Sequence, residues 1–526
     1  MADLTKNSEN KLKIGILARD PEKPENWQYR ILQGIIKHPD LELSFFLKDD
    51  RKQIHSPNFL LAIQQKIESL VFKKKQTAYS EEIISKIKET ETIIFTPEKS
   101  YDLDIILQLE FNPINSSNLH AARYGVWSFH FADYETRRGG PVPGVPAPGF
   151  WEIVNDEPCC CITLMHENQI IDKAWFNRHW SYTVTKNDLL EESAALLFKN
   201  IDNLLRTGKL ETKKPLTYYN DPHIEPNLKY ILKYAYRFYL SVFKRIMKKL
   251  FRVKRSNCWT LFINKGNFLE SALHELTPVS MPKNVFWADP FLYKHENSLY
   301  VIFENYSYKT RRGKISAAKV IEEKTGKYSV TDVQDVFDFN YHLSYPHIID
   351  EDGQLYLIPE TYQNKRLEVY RCIHFPGKWE LYATAFKGEE IVDTTYFRDE
   401  KGDKWLFINK GCSFDSELHI YKIDSLKLEN ITAHRLNPVI LDCRKARSGG
   451  AIFKLNNEYY RPSQINTYDI YGRGLQISKI RKLTLDEFED ENVISIEPNF
   501  LKGLIGIHHL HQLGNNFVFD ACFKKL

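Results

Sequence analysis

The sequence has almost no excess of charge of either sign. Against 72 Lys and Arg stand 68 Asp and Glu, a formal net charge of +4, and so even a balance argues against nucleic acid as the main partner. Paired cysteine motifs are missing as well. Eight cysteines occur, three of them consecutive at Cys159, Cys160 and Cys161, and none forms a CxxC pair. That pattern argues against a zinc site and leaves the expected metal-ligand set empty. Adjacent cysteines on a strand alternate faces and rarely bridge, so reduced thiols in a cytoplasmic protein are expected. No stretch of about twenty apolar residues is present, so no spanning helix is expected. Met1 to Lys13 is polar and charged, without the apolar core or small-residue cleavage site of a signal peptide, which again points to the cytoplasm.

What is present suits a soluble chain of two to three domains. It has 526 residues, 43% hydrophobic and 27% charged, too long for one ordinary core and too apolar for disorder. Aromatics reach 13%, which fits a strand-rich chain first and sugar-binding platforms second.

Short apolar runs alternate with helical stretches from Lys13 to about Leu205. Lys13–Leu17, Leu41–Phe46, Thr92–Phe95 and Asp104–Leu109 read as strands, and Trp27–Ile36 as a helix. Such alternation predicts an open, mostly parallel α/β sheet with helices on its faces. Leu228 to Arg255 then carries ten Lys or Arg and no acid, with apolar residues three and four apart. This is a basic amphipathic helix, suited either to an anionic membrane surface at the inner face or to packing on one of the domains. The expected division is 1–212 for the α/β domain, 213–256 for this linker and 257–526 for a strand-rich C-terminal domain.

From Trp259 onward short strands and turn signals dominate, and a motif repeats five times. The copies begin at Ala288-Asp289-Pro290-Phe291, Tyr345-Pro346-His347, Asp393-Thr394-Thr395-Tyr396, Gly449-Gly450-Ala451-Ile452 and Ile507-His508-His509. A spacing of about 50 to 57 residues suits four-stranded blades, and five copies predict a five-bladed β-propeller. Polar residues at the ends of the repeats would converge on a central channel: Asp289, Glu304, Glu360, Asp393, Arg447, Arg461, Gln464, His508, His509 and Asp520. For any one of them, bracing neighbouring strands is the competing role.

Two resemblances bear on function. Gly125 to Asp172 holds His130, Arg138-Gly139 eight residues later, Trp151-Glu152-Ile153, a preserved Trp-to-Met165 spacing, and Asp172 seven residues after Met165. It resembles the active-site region of N10-formyltetrahydrofolate-dependent formyltransferases. The resemblance implies that His130 is the base or electrophile, that Asp172 orients and charges it, that Arg138 contacts substrate and that N10-formyltetrahydrofolate is the cofactor. A His oriented by a carboxylate could take the proton that an attacking amine must lose. Ser128 stands where the family has the Asn that helps hold the oxyanion. Lys173-Ala174 replaces the family's Gly, and a Pro-rich insertion, Pro141 to Pro148, separates Arg138 from Trp151.

The second resemblance covers the propeller. Trp287-Ala288-Asp289-Pro290-Phe291 looks like the first-blade motif of glycoside hydrolase family 43, in which the Asp is the general base. Ser344 to Glu360, Tyr459 to Gln464 and Tyr471 to Ile477 resemble the N-terminal propeller of plant glucosamine inositolphosphorylceramide transferases. Val392-Asp393-Thr394-Thr395 stands where family 43 has its third-blade Glu, which weakens a hydrolase reading. Three functions are expected alternatives. One is formyl transfer to an amino sugar or sugar nucleotide in surface-glycan biosynthesis. The second is glycosidase or glycosyl-transferring chemistry in the propeller beside a degenerate first domain. The third is non-catalytic glycan binding at a membrane. Ser128 favours the last two; His130, Arg138 and Asp172 favour the first.

Overall fold

The computed structural model describes residues 11–49, 58–72, 79–96, 99–109, 121–135, 147–215, 226–250, 257–411 and 413–524, the side chains of 248 and 249 apart. Arg138, Gly139 and most of the Pro-rich insertion lie outside them. The chain divides into two compact units, Met1–Phe251 and Arg252–Leu526.

The first unit is an α/β sheet. Its strands are β1 (Leu12–Ala18), β2 (Leu41–Lys48), β3 (Thr92–Ile94), β4 (Ile105–Gln108), β5 (Val126–His130), β6 (Cys159–His166) and β7 (Gln169–Asn177), in the order β3-β2-β1-β4-β5-β6-β7. The first five run parallel; β6 and β7 are antiparallel additions at one edge. The near-continuous apolar character of β1, β4 and β5 follows from burial on both faces. The helices are α1 (Asn26–Lys37), α2 (Phe59–Val71), α3 (Glu81–Glu89), α4 (Phe150–Val154), α5 (Tyr182–Thr207) and α6 (Leu228–Leu250).

The basic helix α6 is part of this unit rather than a bare connector. Ile231, Tyr234 and Phe238 pack among Leu61, Phe150, Trp151 and Tyr182. Buried Glu68 of α2 ties the helices together, accepting hydrogen bonds from the hydroxyls of Tyr234 and Ser181 (each 2.5 Å) and from the Thr183 amide (2.9 Å). With the Gln64 amide group (3.0 Å), four donors on one carboxylate offset the cost of burying it.

The second unit is the five-bladed all-β propeller. Blade one holds β9 (Val285–His295), β10 (Ser298–Ser307), β11 (Arg312–Glu322) and β12 (Tyr328–Phe337). Blade two holds β13 (Ser344–Glu351), β14 (Gln354–Glu360), β15 (Leu367–His374) and β16 (Lys378–Ala385). Blade three holds β17 (Val392–Arg398), β18 (Lys404–Asn409), β19 (Glu417–Ile423) and β20 (Ile431–Ala433), with the short β21 (Ile440–Leu441) beside β19. Blade four holds β22 (Phe453–Leu455), β23 (Glu458–Thr467), β24 (Ile470–Leu483) and β25 (Phe488–Ile496). The fifth joins β26 (Leu504–Leu513) and β27 (Asn516–Lys524) to β8 (Asn257–Lys265), the unit's first strand, paired from Asn516↔Lys265 to Lys524↔Asn257. Both ends of the propeller chain thus share one sheet, so the ring closes without leaving an open edge there.

The five repeat motifs fall at equivalent places, one in each blade. In four of the five blades the first strand carries a bulge there: opposite Ile302/Glu304, at Ser344/His347, at Val392/Thr395 and at Ile507/His509. Asp289 (φ 50°), Tyr345 (φ 43°), Asp393 (φ 45°) and Gly450 (φ 130°) occupy left-handed backbone at equivalent positions. Bulges re-aim side chains, and non-glycine residues hold such angles only where surrounding structure enforces them. Gly450 is required by contact as well as by angle: a Cβ there would lie 1.8 Å from the Leu510 carbonyl oxygen. Gly450→Ala should therefore separate blades four and five locally and cost more than about 3 kcal/mol in urea unfolding.

Candidate functional site

The bulged positions converge on a cavity of about 610 Å³ at one end of the propeller, lined by Asp289, Glu304, Glu360, Asp393, Arg447 and His508 among others. Two aspartates are anchored in it. One Asp289 carboxylate oxygen lies 3.2 Å from Nε2 of His508, and the other accepts the Tyr345 amide at 3.2 Å. Asp393 accepts Nε of Arg447 at 2.6 Å and the Gln464 amide group at 3.0 Å. Behind His508 stands Asp520, which takes its Nδ1 at 2.7 Å and the Asp289 amide at 2.9 Å. Burial alone would keep the His508 imidazole neutral. The charges of Asp520 and Asp289, with their hydrogen bonds, outweigh it and raise the pKa to about 10. Asp289, His508 and Asp520 bring ligand-type atoms within 4.8 Å of one another; as an imidazolium, His508 donates from both nitrogens to the two carboxylates.

The sign of this linkage is testable. An unfolded His titrates near 6.5, so His508 contributes stability that is complete below about pH 6.5 and lost as pH rises through about 10. The stability difference between wild type and His508→Gln in urea unfolding should be largest at about pH 6 and shrink steadily toward about pH 10.

Two glutamates line the same cavity. Burial, then the charge of Asp289, push the Glu304 carboxyl well above the usual carboxylate range. Burial, the charge of Asp393 and a hydrogen bond to it do the same for Glu360. Arg447 stands 4.0 Å from Glu360 but gives Nε to Asp393 and Nη1 to Asp415 (3.2 Å), so it does not hold Glu360 ionised. The pocket therefore presents neutral carboxyl donors beside anchored carboxylates, an imidazolium and a guanidinium. Its walls add Trp259, Phe286, Tyr306, Tyr308 and Tyr471. Trp259 lies over His508 (ring centroids 4.0 Å apart) and Arg447 lies 4.8 Å from the Tyr471 ring.

Other residues expected at the channel sit elsewhere. Gln464 and Asp520 form the layer behind the lining, through Asp393 and His508. Arg461 bonds Asp490 at 2.6 Å and the Lys445 carbonyl at 2.9 Å, a strand brace outside the lining. His509 is wholly buried on the far side of the bulge, its ring against Phe291 and Tyr345. It belongs to an imidazole group with His347 and His511, which burial holds neutral, with pKa values lowered to about 3 and about 4 for the latter two. Sequence reasoning missed His342, Asp415 and the aromatic walls. Tyr471 lay within a motif already singled out, but Trp259 enters only because β8 closes the last blade.

In the first unit, His130 and Asp172 do not meet. His130 lies opposite Thr163, and Thr163 opposite Lys173, whereas Asp172 lies opposite Leu164. Side chains alternate along a strand, so Asp172 is on the other face. There it accepts Lys199 (2.8 Å) and Asn200 (3.2 Å) of α5. The cause is a bulge between Leu164 and Met165; one extra residue shifts the register and reverses every following side chain. Lys173 takes the place facing His130's side and donates to Asp133 and Glu135 (each 2.5 Å). His130 is fully buried edge-on to Tyr134, and burial lowers its pKa to about 4. Ser128 is buried opposite Gln108 and Met165.

The fold and pocket define a five-bladed propeller with an acidic, aromatic-walled site. A family profile described as glucosamine inositolphosphorylceramide transferase 1, N-terminal, matches residues 271–504. Glucosamine inositolphosphorylceramide transferase 1 of Arabidopsis thaliana is 32% identical over 223 residues, 41% of this chain and 28% of that protein. The protein of the same name from Oryza sativa subsp. japonica is 31% identical over 216 residues, 40% of this chain and 28% of that one. The chain thus spans little more than a quarter of these relatives. Among solved structures, an exo-β-1,3-galactanase from Phanerochaete chrysosporium aligns over 50% of this chain and 63% of its own at 11% identity and a TM-score of 0.34. A β-xylosidase/α-arabinofuranosidase of glycoside hydrolase family 43 from a compost metagenome aligns over 45% and 86% at 14% identity and a TM-score of 0.32.

Proposed function

We propose that the propeller pocket binds a glycan or glycoconjugate and performs acid–base chemistry at a glycosidic bond, as a glycosyl-transferring or hydrolytic enzyme. The observation that carries this reading is the meeting of four buried carboxyls in one cavity: Glu304 and Glu360, raised well above the usual carboxylate range, and Asp289 and Asp393, each in contact with a cation. A carboxyl raised by burial beside one that meets a cation suits an acid and a base, and cleavage or transfer of a glycosyl group needs both. Glu360 or Glu304 would protonate the leaving oxygen, and Asp289 would accept a proton from the attacking hydroxyl or water. The aromatic rings supply a platform for the sugar. The relatives' name includes glucosamine, which agrees with a sugar site.

Formyl transfer from N10-formyltetrahydrofolate is the weaker proposal, because His130 has Lys173, not Asp172, on its face of the sheet. The test is titration of the full chain with glucosamine, myo-inositol 1-phosphate and oligosaccharides, followed by Trp fluorescence, with turnover of aryl glycosides and sugar nucleotides in parallel. Saturable quenching lost in Trp259→Ala, with turnover sensitive to Glu360, is expected. Absence of both, alongside a formyl-mass gain on an amino sugar, would overturn the reading.

A further inference from the structure

Helix α6 has one apolar stripe too many for its place in the fold. Ile231, Tyr234 and Phe238 are already buried against the first unit. Leu228, Leu232, Tyr236, Tyr239, Phe243, Ile246 and Leu250 form a second stripe, 46–70% exposed. They recur at steps of four, four, three, four, three and four, a single line along the roughly 34 Å of a 23-residue helix. A lysine follows directly after Leu228, Leu232 and Phe243; Lys229, Lys233 and Lys244 are exposed and so occupy the next quarter of the helix surface. The helix contains seven Lys or Arg and no acid.

The neighbouring helix extends this face. Tyr239 donates to Gln64 of α2 at 3.1 Å. On α2, Leu60 and Ile67, four residues before and three after Gln64, are exposed, as are Phe59, Ile63 and Leu70. A water-facing apolar line of this length is an interaction surface rather than scattered exposure. Its flanking charge decides the occupant. Another protein face would have to match apolar residues and lysines along the whole helix, whereas an anionic bilayer surface offers both at any point. No helix of the described residues is long and apolar enough to cross a membrane, so the helix would lie in the interface plane, its lysines reaching toward headgroups.

We propose that the exposed stripe of α6, continued by α2, docks the protein on an anionic membrane surface. The test is flotation of the full chain with phosphatidylcholine–phosphatidylglycerol vesicles and with phosphatidylcholine alone. Binding to the anionic vesicles that weakens with salt, and is at least about tenfold weaker to neutral ones, is expected. Leu232→Glu/Phe243→Glu/Leu250→Glu should abolish flotation while leaving the unfolding temperature unchanged, since these side chains touch solvent. Lys229→Gln/Lys233→Gln/Lys244→Gln should lower binding to anionic vesicles alone. Failure of the wild type to float, or flotation unaffected by the Glu variant, overturns the proposal. So does self-association of the wild type in light scattering that the Glu variant removes when no flotation occurs, which would make the stripe a contact between copies of this chain.

Discussion

Glu360→Gln should lower turnover of a glycosidic substrate with a poor leaving group by about 10²- to 10⁴-fold, the usual worth of a positioned proton donor. The amide keeps the size of the side chain and can still donate to Asp393, so the fold should survive. The loss should shrink toward nothing on an aryl glycoside whose phenol leaves without protonation. That contrast separates proton donation from mere support, which would lower both rates alike. The pH profile carries the same information. Burial and Asp393 keep Glu360 protonated well above the ordinary carboxylate range, so wild-type activity should fall only as pH rises through that raised value. In the Gln variant that alkaline limb should vanish from kcat/KM. An unchanged limb would assign it to Glu304, whose carboxyl is raised in the same direction.

The propeller was legible in the sequence because its repeat survives in the first and second strands of each blade, where burial demands apolar residues and the turns demand Gly, Asn and Asp. Its pocket was legible in part for the same reason: Asp289, Glu304, Glu360, Asp393 and His508 sit at fixed offsets within the repeat. What was hidden needed backbone geometry. Nothing in Tyr345 announces a left-handed φ, and Asp289 and Asp393, of a type that tolerates it, more often adopt other angles. Trp259 belongs to a strand that completes the last blade from the other end of the unit, so no repeat contains it. The His130–Asp172 pair shows the opposite failure. Spacing alone would place Asp172 across from Thr163 and on His130's face. The bulge at Leu164/Met165 moves it one register on and presents Lys173 instead. In the basic segment, a single amphipathic pattern concealed two apolar stripes of one helix: the first is packed on the α/β unit, the second is exposed.

Arg447→Met should be the most damaging single change in the pocket to stability, at about 3–5 kcal/mol in urea unfolding. The guanidinium is almost entirely buried and gives Nε to Asp393 and Nη1 to Asp415. Met fills similar space, so the cost would come from charge rather than from a void. Asp393, only 3% exposed at its side chain, would lose its cation while keeping the neutral hydrogen bonds from Gln464 and Glu360. Two outcomes distinguish this from lost packing. The deficit should shrink as pH falls, because protonation removes the unpaired charge, whereas a packing defect would not respond. The double variant Arg447→Met/Asp393→Leu should recover much of the stability that the single variant loses, since a buried pair replaced whole by apolar groups leaves no orphaned charge. It should not recover activity, because Glu360 would lose the hydrogen-bond partner that positions it and the pocket its guanidinium, although burial would still favour the protonated carboxyl. A pair that is dispensable for folding and needed to position Glu360 is what an acid–base site requires of its support.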